Sequence, residues 1–296
     1  MTSYSGKTVM VTGASRGIGL AVAQRFAELG ANVGLVATNR DRLGQAASAL
    51  PGRTQVVAAD LVDPGECRRA VDEVETALGP VQVLVSCAGL LRRDFVEDVT
   101  VHDFERSYRL HAGAGLWLSQ RVLPGMRQRG DGSIVLVASE LGLIGGPTYA
   151  SYCTSKWALV GLAEVLHHEL AASGLRVCVV CPGDVRTDQL AEEHVWGPTG
   201  GESYEKAMKP ELVARAIVRA AGGSRPVVVV DKPHLRLAFK LMGGPRRLRI
   251  AVVHSAFKTL LAERAPRALA AADADGLSAG AAAPDGPDDL ASRSEP

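Results

Sequence analysis

The 296-residue sequence predicts a doubly wound α/β fold, with a seven-stranded, mostly parallel sheet and helices on both faces. Three observations lead there. Short apolar runs of strand length alternate with amphipathic, helix-length patterns from Lys7 to Asp231. The first run opens into the glycine turn Gly13-Ala14-Ser15-Arg16-Gly17-Ile18-Gly19. Residues suited to proton chemistry fall where later runs end, the edge at which open parallel sheets place their ligands.

The first strand, Lys7 to Thr12, the glycine turn and a helix from Leu20 to Leu29 together form a phosphate cradle. Backbone N–H groups and the helix dipole meet the anion, and glycines allow close approach. An ordinary strand-to-helix turn seldom needs three glycines at this spacing. The second strand, Asn32 to Ala37, should end beside the ribose of a bound dinucleotide, where an acidic residue would accept hydrogen bonds from the 2′-hydroxyl. The chain carries Ala37-Thr38-Asn39-Arg40 there. Arg16 and Arg40 are thus placed to meet a 2′-phosphate, which favours NADP(H) over NAD(H). Arg40 also reads as the solvated start of a helix from Arg42 to Leu50.

Strand and helix continue to alternate. Thr54 to Ala59 ends at Asp60, whose carboxylate is expected to face the adenine. Pro64 to Leu78 is an amphipathic helix, and the strand Val81 to Ser86 ends in Cys87-Ala88-Gly89, small enough for a flat cofactor to pass. A long helix from His102 toward Met126 carries His111, and the strand Ser133 to Ala138 delivers Ser139 at its carboxyl end. The next helix bears Tyr152 and Lys156 one turn apart on one side. A neighbouring ammonium favours the phenolate and pulls a Tyr from its usual pKa of ~10 toward working pH. Such a Tyr can pass a proton to or from a substrate oxygen. Strands Leu175 to Cys181 and Pro226 to Asp231 complete the sheet. Cys178 and Cys181 have the spacing of a redox or zinc motif, but residues three apart in a strand face opposite ways.

Charge is nearly balanced, 33 Lys and Arg against 32 Asp and Glu, so no overall field draws nucleic acid or anionic lipid. The N-terminus is too short and polar for a signal peptide, no apolar run spans a bilayer, and the five cysteines suit reduced thiols. A cytoplasmic location is expected.

In combination, TGASRGIG at Thr12 to Gly19, Asp60, CAG at Cys87 to Gly89, Ser139, YCTSK at Tyr152 to Lys156 and PGDVRT at Pro182 to Thr187 resemble the short-chain dehydrogenase/reductase (SDR) family over about residues 5 to 231. The resemblance implies a Rossmann fold and hydride transfer between NADP(H) and a ketone or secondary alcohol. It implies that Tyr152 is the acid or base, that Lys156 holds the nicotinamide ribose, and that Ser139 hydrogen-bonds the substrate oxygen. The cofactor would be met by Gly13, Ser15, Arg16, Gly17, Ile18, Gly19, Arg40, Asp60, Leu61, Ala88 and Gly89. Beyond Pro182 the backbone of Gly183, Val185 and Thr187 would meet the nicotinamide end.

Where the family usually has Asn, this chain has His111, which either joins a proton relay to Lys156 or is a helix residue with no catalytic part. Cys87 stands where the family usually has another Asn. The family keeps a mobile lid where this chain has the loop-like segment Gln189 to Lys209, and it commonly dimerises or tetramerises on helices matching His102 to Met126 and Ser151 to Ala172. The moderately apolar lid hints at a hydrophobic small-molecule substrate. A catalytically silent NADP-binding regulatory or scaffold protein is the alternative.

Three regions are expected: a catalytic and dinucleotide-binding domain over 1–231, a basic amphipathic helical extension over 232–267, and a disordered Ala-, Pro- and Asp-rich tail over 268–296. The extension could wall the cleft, pack a neighbouring subunit or make weak membrane-surface contact.

Overall fold

The computed structural model describes residues 3–194 and 206–231. Seven strands, β1 (Thr8–Thr12), β2 (Asn32–Ala37), β3 (Thr54–Ala58), β4 (Val81–Ser86), β5 (Ser133–Val137), β6 (Arg176–Pro182) and β7 (Val227–Val230), form one sheet. Their spatial order is β3-β2-β1-β4-β5-β6-β7, and every neighbouring pair is parallel. The order reverses between β1 and β4, which opens a crevice at the carboxyl ends of those strands.

Helices α1 (Gly17–Glu28), α2 (Arg40–Ser48), α3 (Pro64–Leu78), α4 (Val101–Tyr108), α5 (Ala114–Arg129), α6 (Ala150–Leu170), α7 (Asp188–His194) and α8 (Pro210–Ala221) accompany the strands. Because helices cover both faces, the strands read as unbroken apolar runs rather than alternating ones. In β1, Met10 enters one core with Leu84, Ile134 and Leu159, while Val9 and Val11 enter the other with Phe26 and Ile217. Each such fully buried large side chain contributes about 1.5–3 kcal/mol of transfer free energy. Cys178 and Cys181 point into different cores, as strand geometry requires. No described helix is long and apolar enough to cross a membrane.

Helix α1 begins at Gly17, three residues before the expected Leu20, and three further elements differ from expectation. The side-chain oxygen of Asn39 accepts from the Arg42 N–H at 2.9 Å, and this cap starts α2 at Arg40 rather than Arg42. The long helix expected from His102 toward Met126 is split: between α4 and α5 lies a π-helical turn, Arg109–Gly113, carrying His111. The segment from Gln189, expected to be a loop, begins instead within α7, where the Thr187 hydroxyl accepts from the Leu190 N–H at 3.3 Å. Its remainder over 195–205, the extension over 232–267 and the tail over 268–296 lie outside the described residues.

Candidate active site

A cleft of about 310 Å³ lies at the carboxyl ends of β1 and β4, and the glycine turn forms one wall of it. Gly13 has φ +67°, and a Cβ on it would stand 2.9 Å from the Ala88 Cα, so two loops meet where only glycine fits. Beneath them, the Thr12 hydroxyl accepts from the N–H groups of Cys87 at 2.9 Å and Ala88 at 3.0 Å. Backbone donors therefore fasten the second loop to the first, whatever side chain stands at 87.

Helices α2, α3 and α4 are each capped by a side chain, from Asn39, Asp63 and Thr100. No side chain caps α1, whose first residues Gly17, Ile18 and Gly19 line the cleft. Uncapped N–H donors at a helix start fit a pyrophosphate. Ser15 and Arg16 line the cleft too, and the Arg16 guanidinium lies 3.6 Å from the Asp188 carboxylate. Arg40 is exposed at the start of α2, outside the cleft lining.

Asp60 and Leu61 line the far end with Ala88 and Gly89. The Asp60 carboxylate accepts from the Arg106 guanidinium at 3.0 Å and from the Val62 N–H at 3.4 Å. Arg106, a lining residue that the sequence reading missed, stands one turn before Leu110, which also lines the cleft. That four-residue spacing on a helix was the available signal.

The other wall is α6. Lys156 is only 4% exposed, and its ammonium donates to the Val137 carbonyl at 3.0 Å and lies 5.6 Å from the centre of the Tyr152 ring. Burial pulls its pKa down to about 8. Tyr152 and Lys156 both line the cleft, as does Thr187. Ser139 lies two residues beyond β5, and its hydroxyl accepts from the Leu141 N–H at 3.2 Å, capping the short turn Glu140–Gly142. That turn lies against α6, since a Cβ on Gly142 would be 2.9 Å from the Lys156 carbonyl oxygen. Ser139, His111, Pro182, Gly183 and Val185 stand outside the cleft lining.

His111 is 1% exposed. Its Nε2 accepts from the Leu90 N–H at 3.1 Å, so the ring proton sits on Nδ1 and is donated to the Ser155 hydroxyl at 2.8 Å. Ser155 in turn donates to the Tyr152 carbonyl at 2.8 Å, and the His111 ring meets the Tyr152 ring edge to face with centres 5.5 Å apart. Burial, and then the Lys156 ammonium, hold the His111 pKa well below its usual value. A relay through this imidazole would require one of its two bonds to break.

Ahead of α6, Thr148 adopts a left-handed φ of 71°. Its carbonyl accepts from the Asp94 N–H at 2.9 Å, and the Arg93 guanidinium lies 5.0 Å from the centre of the Tyr149 ring. The chain after β4 is thereby tied to the start of the Tyr152 helix.

A phosphate cradle facing a Tyr and a buried Lys across the switch point of a parallel sheet defines a nicotinamide-dependent oxidoreductase. Known proteins agree. The family model described as short chain dehydrogenase matches residues 7–196. The 3-ketodihydrosphingosine reductase of Bos taurus is 35% identical over 227 residues, 73% of this chain and 68% of that protein. Ketoacyl reductase HetN of a Nostoc species is 29% identical over 236 residues, 78% of this chain and 81% of that protein. Among solved structures, the L-sorbose reductase of Gluconobacter frateurii complexed with NADPH and L-sorbose superposes with a TM-score of 0.71 at 27% identity, covering 77% of this chain and 96% of that one. The chain belongs to the short-chain dehydrogenase family, as its motifs implied. It is an oxidoreductase of CH–OH and C=O groups in small molecules, using NAD(P)(H).

Proposed function

We propose that the chain is an NADPH-dependent ketoreductase for a hydrophobic small-molecule ketone. The observation that carries this reading is the Tyr152–Lys156 pair, with its buried ammonium, in the cleft that holds the uncapped start of α1. Bound NADPH supplies the hydride. Lys156 stabilises negative charge on the Tyr152 oxygen, Tyr152 gives its proton to the substrate oxygen as that oxygen gains charge, and Ser139 donates a hydrogen bond to the same atom. Arg16 in the cleft, and the absence of an acid in Ala37-Thr38-Asn39 at the end of β2, support NADP(H) over NAD(H). The keto-substrates in the names of two relatives, one a sphingoid base and one an acyl group, support a hydrophobic ketone.

Oxidation of NADPH and NADH against long-chain, aromatic and sugar ketones tests the reading. Turnover with NADPH and a long-chain ketone is expected. NADPH binding with no oxidation across the panel would point to the silent scaffold.

Within this reading His111 positions Tyr152 through Ser155 rather than carrying a proton. His111→Asn, which keeps one donor and one acceptor, is expected to lower kcat by less than about tenfold and leave the shape of the pH–rate profile intact. A lost or displaced ionisation in that profile would restore the relay. The chain is further expected to self-associate through α4, α5 and α6, which expose Phe104, Tyr108, Leu116 and Val165.

A further inference from the structure

Three adjacent strands end in a cluster of acids that plays no part in the chemistry above. Glu140 follows Ser139 at the end of β5, Gly183 follows β6, and Asp231 follows β7. The ladder holds these ends together: the Ala138 N–H donates to the Val180 carbonyl at 2.8 Å, and the Gly183 N–H to the Val230 carbonyl at 3.0 Å. A Cβ on Gly183 would stand 2.7 Å from Asp231 Oδ2 and 3.0 Å from Glu140 Oε2. Two carboxyl groups therefore converge over one glycine, where one can donate to the other only if it holds a proton. A carboxylate only accepts, so a hydrogen bond between two carboxyl groups needs a proton on one of them. The second Glu140 oxygen, Oε1, is buried without a hydrogen-bond partner, which an ionised carboxylate would tolerate poorly.

We propose that Glu140 and Asp231 share one proton at neutral pH and that this carboxyl pair is a positioning clamp, holding the Ser139 turn and Gly183 in register with the end of β7. Among the described residues, the titratable groups that act on Glu140 or feel its charge are Asp231 beyond β7, Asp184 beside Gly183 and the Cys181 thiol in β6. Burial, then the bond to Asp231, then the charges of Asp231 and Asp184 raise the Glu140 pKa to about 9. Above that pH the proton leaves to solvent, and two carboxylates pressed on one glycine repel each other. The sign for stability follows. The folded state holds a proton that the unfolded state has released, so stability falls as pH rises from 4.5 to about 9.

Only the effect on turnover rests on the proposed ketoreductase role of Ser139; the shared proton does not. The test therefore begins with infrared spectroscopy of the full-length protein. A protonated-carboxyl stretch is expected at pH 7, fading as pH passes about 9 and absent from Glu140→Gln. Wild-type Tm should decline with pH between 4.5 and about 9 more steeply than that of Glu140→Gln. In turnover, Glu140→Ala is expected to lose on the order of 10- to 100-fold in kcat. Glu140→Gln, which can still donate to Asp231, should recover most of that loss. An infrared spectrum at pH 7 identical in wild type and Glu140→Gln would overturn the shared proton. Equal kcat in wild type and Glu140→Ala, alongside an intact band, would overturn the clamp.

Discussion

The two ends of the sheet use charge in opposite ways. At the amino end, Asp131 before β5 accepts from Lys7 at 3.3 Å and Arg176 at 2.8 Å, and all three side chains remain between 34% and 44% exposed. Arg176 and then Lys7 hold the Asp131 pKa below its usual value. At the carboxyl end, burial outweighs pairing: Lys156 and His111 are pulled down and Glu140 is pushed up. A solvated ion pair fastens strands and holds its members more firmly in their charged forms, whereas burial with incomplete compensation pushes a group toward its neutral form. Geometry at one end serves cohesion; at the other it suits the proton transfer proposed for Tyr152.

Substitutions can break or sharpen that contrast. The largest effect belongs to Tyr152→Phe, which should cut kcat by roughly 10²–10⁴-fold while NADPH binding, read by fluorescence titration, persists. Unchanged turnover would remove the carboxyl end from the chemistry. Lys156→Met should cost on the order of 10²-fold in kcat. In wild type, turnover should fall as pH rises through about 8, where the Lys156 ammonium discharges, and the pH–rate profile checks this.

Arg16→Leu comes next. Loss of a charge-assisted bond to a 2′-phosphate should raise the KM for NADPH roughly 10- to 100-fold and leave that for NADH unmoved; equal effects on both would end the proposed preference. Smallest is Asp131→Ala, expected to leave kcat alone and cost at most about 1 kcal/mol per ion pair in urea unfolding. Because the folded-state pKa of Asp131 is depressed, its stabilising share is present above 3.8 and disappears as pH falls through the lowered value. A loss of turnover in Asp131→Ala would blur the division between the two ends.

Much of this was legible in the sequence because its causes are local. Strands β2 and β4 and helix α3 have the bounds read from their apolar runs and amphipathic pattern. The cradle was legible for the same reason: a strand, a glycine turn and a helix are contiguous. The misses have nonlocal causes or nearly regular ones. Asp60 meets Arg106, and His111 meets Ser155 and the Leu90 backbone N–H, through contacts far apart in sequence, which no periodicity records. The turn at Arg109–Gly113 differs from α-helix by a single inserted residue per loop of backbone, too little to disturb an apolar pattern. Helix α7 begins just after Thr187, a residue the motif PGDVRT had drawn attention to for another purpose.

That wide turn constrains how the gene can change length. Deleting one residue within Arg109–Gly113 would let the segment relax into ordinary α-helix, rotating everything before it by about 100° relative to α5. Arg106 would swing off Asp60, and the imidazole would lose either Leu90 or Ser155. A lineage could swap side chains along this stretch one at a time, yet an in-frame loss of a single codon would uncouple both ends of the cofactor cleft at once.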